Sequence, residues 1–303
     1  MATQARKPDG KPSTDGNVHG LDVTIVGPGR VGQSMGKLLA EGGINIRYVA
    51  GRRPAAARRA VRFIGSGAAV GLDCESLADT DVVILTVSDA ALASLARQLA
   101  SWHCPWSGKV VLHTSGALPS GVLRPLRRRG ASVGSLHPFQ SVPTPTVGLR
   151  NLSGCFWGIE GDRRACAVAT SLARALDGTP FRVKPSWKLL YHAAAVLSCG
   201  AVVALLDQSA HLLRAAGVPA AIVRPMLGHF AGETVGNFVS LGGHQALTGP
   251  AVRGDWQTIA QHLASLRRRA PEIVPAYVEL TRIMIRLAGR RPPPRLIPNR
   301  KYV

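Results

Sequence analysis

The chain has 303 residues, of which 46% are hydrophobic and 18% charged, with 37 Lys and Arg against 17 Asp and Glu. This length predicts two domains, and the composition excludes a disordered, collagen-like or disulfide-framework protein. The five cysteines include no C-x-x-C pair, which predicts reduced thiols in a reducing cytoplasm.

The formal charge of +20 raises the question of nucleic-acid binding. The densest Arg runs, at 127–129, 267–269 and 290–295, are not interleaved with aromatic residues, which make up only 5% of the chain. No helix-turn-helix, zinc or RNP pattern accompanies them. We therefore expect no specific nucleic-acid partner, but a basic surface that attracts small anionic molecules.

The sequence also argues against a membrane protein. The longest apolar stretch, residues 193–206, is shorter than the roughly 20 residues that span a bilayer. We expect it to form a buried helix. Because the first twenty residues lack the apolar centre of a signal peptide, we expect a cytoplasmic protein.

Apolar strands alternate with helical stretches from residue 21 to residue 183. Strands are predicted at 22–26, 44–50, 82–87, 109–113, 132–136, 156–160 and 180–183, and helices between them at 31–40, 55–62 and 90–100. This alternation predicts an α/β Rossmann-like domain with a mostly parallel sheet over residues 21–183, after a flexible tail at 1–20.

The strand pattern ends at residue 184, and helical periodicity replaces it. The predicted helices cover 187–216, 220–241, 256–268 and 273–287. We expect an all-helical domain over 184–288, followed by an Arg/Pro-rich tail at 289–303.

A dinucleotide-binding fingerprint, G-x-G-x-x-G, follows the first strand and precedes a helix, which is the context the motif requires. Gly27 would allow the tight turn, Gly29 the approach of a pyrophosphate, and Gly32 close packing of helix and strand. Arg30 and Val31 complete the predicted cofactor-binding turn.

The end of the second strand indicates which cofactor binds. NAD sites place a carboxylate about 20 residues after the fingerprint, but Gly51, Arg52 and Arg53 stand there. Guanidinium groups bind a 2′-phosphate, so the sequence favours NADP(H).

Two further loops are expected at the same edge of the sheet. Val87 and Ser88 follow one strand and are predicted to bind the cofactor, as is His113 at the end of the next. Ser115, just beyond His113, is a candidate contact for the ribose or for a substrate carboxylate.

Hydride transfer to C=O or C=N needs a proton donor and groups that hold the substrate. Lys188 and His192 are four residues apart and share a helix face. If Lys188 is buried, its lowered pKa suits proton donation near neutral pH. The alternative is that Lys188 reaches solvent and His192 is a structural histidine. His137 and Arg253 are candidate substrate contacts, although a lone loop histidine is often structural.

Together these segments resemble a known bacterial family. The residues that carry the resemblance are the fingerprint, the strand at 81–89, His113-Thr114-Ser115-Gly116, Ser135-Leu136-His137-Pro138, Lys188 to His192, and Leu247 to Asp255. This ordered set is similar to the family that joins a Rossmann-like domain to the domain of unknown function 2520.

The resemblance implies a 6-phosphogluconate dehydrogenase-like arrangement, shared with ketopantoate and pyrroline-5-carboxylate reductases. It implies Lys188 as proton donor, with His192 where related enzymes have Asn, and a turn at Ser115 and Gly116 that holds a substrate carboxylate. Gly200 departs from the family, which often has Asn near that position.

The expected function is an NADPH-dependent reductase of a small anionic carbonyl compound, such as the branched 2-keto acid ketopantoate. The alternatives are an imine reductase of the pyrroline-5-carboxylate type and a non-catalytic NADPH-binding sensor or scaffold. We expect no metal, and a homodimer formed through the helical domain.

Overall fold

The computed structural model describes Val18 and residues 20–293. The strands are Asp22–Val26 (β1), Asn45–Ala50 (β2), Ala68–Val70 (β3), Val82–Leu85 (β4), Val110–His113 (β5), Ser132–Pro138 (β6), Phe156–Gly161 (β7) and Thr179–Arg182 (β8). The helices up to β8 are Arg30–Glu41 (α1), Pro54–Ile64 (α2), Cys74–Ala78 (α3), Asp89–Ser101 (α4), Arg124–Arg127 (α5), Pro145–Leu152 (α6) and Arg163–Ala175 (α7).

After β8 the described chain is helical. The helices are Lys188–Ser198 (α8), Gly200–Ala215 (α9), Ala220–Ala246 (α10), Pro250–Arg253 (α11), Trp256–Arg269 (α12) and Val274–Leu287 (α13). The predicted fold class, a Rossmann-like domain followed by helices, is confirmed.

The strands form one sheet in the order β3-β2-β1-β4-β5-β6-β7-β8, in which only the β6–β7 pair is antiparallel. The order reverses direction between β1 and β4, and ligands of such sheets bind outside the carboxyl ends of the strands at that point. The Val26–Leu85 register places the loops that follow β1 and β4 side by side there.

The central strands β1, β4 and β5 are buried on both faces because helices cover each side of the sheet. On β4, Val82 and Ile84 pack into one core cluster and Val83 and Leu85 into the other, as the two-residue period of a strand requires. Helices α1 and α7 contribute to the first cluster and α4 and α5 to the second. The central strands therefore form a rigid base for the loops at their carboxyl ends.

The chain divides into two compact units, Met1–Cys199 and Gly200–Val303. The predicted boundary at residue 184 assigns α8 to the helical domain, whereas the compact unit groups α8 with the sheet. The predicted tails, 1–20 and 289–303, lie mostly outside the described residues.

The prediction of a buried helix over residues 193–206 is wrong. Each of these residues is exposed or half-buried in the chain, and Leu197 is 68% exposed. The segment Pro185–Ala215 is long and apolar enough to cross a membrane by length and composition alone. Hydropathy measures apolar content and does not reveal whether the same chain, another chain or lipid covers it.

Candidate cofactor cavity and lysine–histidine site

The turn between β1 and α1 has the geometry that the fingerprint predicts. Gly27 has φ +111°, and a Cβ there would lie 2.7 Å from the Thr86 carbonyl oxygen. A Cβ at Gly32 would strike the Gly27 carbonyl, whereas Gly29 has no heavy atom within 4 Å of its Cβ position. The open space above Gly29 and the N-terminus of α1, which has no side-chain cap, suit a phosphate group.

A cavity of about 370 Å³ opens next to this turn. Its lining comprises Val26 to Gly29, Gly51 to Arg53, Ala56, Leu72, Thr86 to Ser88, and Ala91, Ser94, Leu95 and Gln98 of α4. None of these lining residues is Asp or Glu, so a 2′-phosphate would meet cationic Arg52 and Arg53 without a repelling carboxylate.

Six of the ten predicted cofactor-binding residues line this cavity, namely Gly27, Gly29, Arg52, Arg53, Val87 and Ser88. Arg30, Val31 and Gly32 lie in the first turn of α1 instead. His113 is fully buried at the end of β5 and does not belong to the lining.

Lys188, the first residue of α8, is buried to 2% exposure. Its Nζ donates hydrogen bonds of 2.8 Å to the Ser115 carbonyl oxygen and 2.8 Å to Ser135 Oγ, and lies 3.6 Å from Glu160 Oε1. Burial lowers the pKa of Lys188 to about 8, although Glu160 opposes this effect. The alternative that Lys188 reaches solvent is wrong.

Glu160, on β7, is the buried counter-ion that the sequence analysis missed. Its two carboxylate oxygens accept hydrogen bonds from the Ser120 backbone N–H at 2.6 Å and from Ser120 Oγ at 2.7 Å. A carboxylate within the otherwise apolar strand 156–161 is the sequence signal for such a pair, because an unpaired buried charge is costly.

Two neighbouring histidines are held neutral. The Ser115 backbone N–H donates to His113 Nδ1 at 3.2 Å, so that the proton of the neutral ring is on Nε2. His137 Nδ1 lies 2.8 Å from the Tyr191 hydroxyl. Burial, together with the Lys188 cation, lowers the pKa of each of these histidines to about 3.

The loop after β5 and one face of α8 bring these groups together at Gly116. A Cβ at Gly116 would lie 2.6 Å from His137 Nε2 and 2.7 Å from His192 Nδ1. His192 Nδ1 is buried and has no hydrogen-bond partner among the described residues. Tyr191, which the sequence analysis missed, follows Lys188 by three residues and therefore shares its helix face.

A Gly116→Ala substitution tests this convergence. We expect the added methyl group to displace His137 or His192 and to lower kcat at least about tenfold, since misplacement of catalytic groups is costly. The affinity for NADPH, measured by fluorescence titration, should change by less than about threefold. The matched control is Gly121→Ala, because no heavy atom lies within 4 Å of the Gly121 Cβ position.

Ser115 and Arg253 have different surroundings from those predicted. Ser115 Oγ accepts a hydrogen bond from the Leu118 N–H at 3.0 Å, which stabilises the turn itself. Arg253 ends α11 in the second compact unit and is exposed. Their roles as substrate contacts stay predictions.

Residues 7–138 match the family described as a Rossmann-like domain, and residues 155–284 match the Domain of unknown function (DUF2520). No curated protein matches the chain.

Several solved structures share the fold of this chain. One is a protein from Bacteroides fragilis named as an NADP oxidoreductase, with TM-score 0.70 and 22% identity, covering 89% of this chain and 100% of the other.

Two further structures are similar. A protein from Thermotoga maritima has TM-score 0.67 and 23% identity, covering 88% of this chain and 98% of the other. A reductive aminase from Aspergillus terreus, in complex with NADPH and ethyl-5-oxohexanoate, has TM-score 0.67 and 18% identity, covering 89% and 96%. With its two domain matches in the predicted order, the chain belongs to the family that joins a Rossmann-like domain to DUF2520.

Proposed function

We propose that the protein is an NADPH-dependent reductase of a small anionic carbonyl compound, with a branched 2-keto acid such as ketopantoate as the candidate substrate. The observation that carries the proposal is a buried lysine of lowered pKa in the same unit as an arginine-lined dinucleotide cavity. A proton donor and a hydride-donor site are the two requirements of carbonyl reduction.

The proposed cofactor is NADP(H), which supplies the hydride when bound. Gly27, Gly29 and the N-terminus of α1 would hold the pyrophosphate, and Arg52 and Arg53 the 2′-phosphate. The Aspergillus terreus relative was solved with NADPH, and a Plasmodium falciparum pyrroline carboxylate reductase of the same fold with NADP.

Lys188 is the proposed proton donor. With a pKa of about 8 it is mostly protonated at pH 7. Transfer of one Nζ proton to the substrate oxygen leaves a neutral amine, which burial favours over the ammonium. His192 Nδ1, which lies near Gly116 and has no hydrogen-bond partner among the described residues, would orient or relay that proton.

Lys188 also orients the Ser115–Gly116 peptide. Its Nζ binds the Ser115 carbonyl, and the carbonyl and N–H of a trans peptide point in opposite directions. The Gly116 N–H is therefore directed away from the lysine, where it is available to a substrate carboxylate or oxyanion.

The test is NADPH oxidation by the purified protein across a panel of 2-keto acids, cyclic imines and a blank without substrate, with NADH measured in parallel. We expect turnover of an anionic 2-keto acid with preference for NADPH. Tight NADPH binding without turnover of any compound would instead support a sensor or scaffold and contradict the reductase proposal.

Imine reduction is the second candidate. It is supported by the names of relatives with the same fold, which include a reductive aminase, an imine reductase from Myxococcus stipitatus and a pyrroline-5-carboxylate reductase from Coxiella burnetii. An iminium nitrogen carries its own proton, so turnover of a cyclic imine should depend little on Lys188. The same panel, repeated with Lys188→Met, therefore distinguishes the two reactions.

We further propose a soluble, cytoplasmic homodimer. Lys188 belongs to the apolar segment Pro185–Ala215, yet it is hydrogen-bonded inside the first unit, which argues against a membrane span. On α10, Val235, Phe238 and Val239 form an exposed apolar face at 59%, 61% and 77% exposure. Such a face is typical of a subunit interface.

A Val235→Glu/Val239→Glu variant should shift the protein from dimer to monomer in light scattering, because two carboxylates would be buried without partners. The matched control, Gln257→Glu, places an acidic group on an exposed site of α12 and should leave the dimer intact. A parent chain that is monomeric at micromolar concentration would contradict the dimer.

A further inference from the structure

We infer that Glu160, fixed by Ser120, is a positioning residue that keeps Lys188 protonated and in place before the substrate reacts. This inference rests on the proposed function, because it concerns how the proposed proton donor, Lys188, is kept protonated and in position.

The first support is the burial of both groups. Lys188 and Glu160 are each 2% exposed, and their charged atoms lie 3.6 Å apart. An isolated buried ammonium loses its proton because burial disfavours the charged form, whereas a neighbouring carboxylate within about 6 Å favours it. Glu160 is therefore the group that counteracts the burial of Lys188.

The second support is the way Glu160 is held. The Ser120 N–H and hydroxyl each bind one of its oxygens, and Ser120 begins the short turn Ser120–Leu123. Both oxygens of the buried carboxylate therefore have a hydrogen-bond donor of their own, which offsets part of the cost of burying it. The carboxylate is thus fixed from β7 and from this turn, independently of α8.

The third support is the charge of the groups that surround the Lys188 ammonium. Two of the three Nζ protons are taken up by the Ser115 carbonyl and Ser135 Oγ, both uncharged acceptors. Glu160 is the charged group that lies nearest to Nζ in this set. Loss of its charge would leave the two hydrogen bonds in place, but would leave the ammonium with only the weaker attraction of Asp89.

Other titratable groups face the pair from the elements packed around it. Asp89 of α4 adds a weaker attraction to Lys188, and His113 and His137 are neutral beside it. Cys166 of α7 faces Glu160, and burial raises the pKa of this thiol, so it is neutral near pH 7. Of these groups, Glu160 is the strongest opposing charge for Lys188.

The experiment measures the pKa of Lys188 without substrate. The chain contains only seven lysines, so ¹³Cε-lysine labelling gives few NMR resonances, and Lys188→Met identifies the one of interest. In Glu160→Gln we expect the pKa of Lys188 to fall by about 1 or more, as loss of an adjacent opposite charge predicts. The alkaline limb of the kcat profile should move to lower pH by the same amount, while the Kd for NADPH is unchanged.

Glu160→Asp is the second variant, in case Glu160→Gln does not fold. It keeps the charge but moves it away by one methylene, and the pKa of Lys188 should fall between those of the parent and Glu160→Gln. Glu75→Gln, an equal change on the exposed surface of α3, should leave the pKa of Lys188 unaltered.

A folded Glu160→Gln protein with the parental Lys188 pKa would overturn the inference; if it does not fold, an unaltered pKa in Glu160→Asp would do so. Failure of the proposed function can be distinguished from failure of this inference, because the NMR titration measures the pKa of Lys188 without any turnover. A shifted pKa in a protein that reduces no compound would refute the reductase and leave the Lys188–Glu160 coupling standing.

Discussion

A Lys188→Met protein should bind NADPH as tightly as the parent chain but reduce a 2-keto acid at least about a hundredfold more slowly. Proton transfer by a positioned side chain contributes about 10²- to 10⁴-fold to rate, and methionine has similar length without a proton to give. Stopped-flow measurement of hydride transfer under single turnover separates this loss from changes in substrate binding.

Two controls separate loss of the proton donor from loss of structure. Lys184→Met removes a lysine only four residues earlier, but Lys184 is exposed and its removal should leave kcat within about twofold. Lys188→Met/Glu160→Gln removes both buried charges, so its free energy of unfolding should recover while its kcat remains low. Recovery of kcat in the double variant would contradict Lys188 as the donor.

The parent protein should show a matching pH dependence. Because burial lowers the pKa of Lys188 to about 8, the ammonium is present below this pH and is lost above it. The rate of carbonyl reduction should therefore be level from about pH 6 to 7.5 and fall towards tenfold per pH unit above 8. A rate that rises through pH 8 would assign the reverse role, a base, to the titrating group.

Local patterns predicted the residues that line the cavity beside the glycine turn better than they predicted the surroundings of Lys188. The strand, the three glycines and Arg52 and Arg53 lie within about thirty residues, and each has a spacing rule that a single sequence reveals. The short strand β3 was missed, because three residues between glycines give too little periodicity to recognise.

The partners of Lys188 could not be predicted in the same way. Glu160, Ser135 and Ser115 come from separate strands and loops, and only the sheet order brings them to one side chain. The helix spacing predicts that Lys188 and His192 share a face of α8, and both lie near the Ser115–Gly116 turn. It gives no information about β6 and β7, which supply Ser135 and Glu160. Tertiary contacts between distant segments have no sequence period.

The apolar helices show a different limit of sequence-based prediction, namely that hydropathy does not predict which residues are buried. Hydropathy predicts that the core includes Leu189, Leu197 and Val203, yet each of these side chains is more than 60% exposed in the chain. Hydropathy records how apolar a segment is, whereas burial depends on which other elements pack against it, and on the single chain these side chains are exposed. The homodimer remains a proposal for this reason.

The second large effect concerns cofactor choice. In an Arg52→Ala/Arg53→Ala protein we expect the Kd for NADPH to rise about 10- to 150-fold, while the Kd for NADH changes by less than about threefold. A hydrogen bond to a charged group contributes about 1.5–3 kcal/mol to binding. NADH lacks the 2′-phosphate, so it makes no such bond with these arginines and should lose no affinity. Both residues are exposed, so the fold should be unaffected.

The matched control is Arg58→Ala/Arg59→Ala. These arginines lie on the exposed face of α2, a few residues away, and do not line the cavity. The control removes the same charge from the same region, so any general loss of attraction for an anionic cofactor would appear in both variants and would weaken at high salt. A loss of NADPH affinity confined to Arg52→Ala/Arg53→Ala would locate the 2′-phosphate at the end of β2. An equal loss in both would mean that the basic surface attracts the cofactor without selecting it, and that the preference for NADPH lies elsewhere in the cavity.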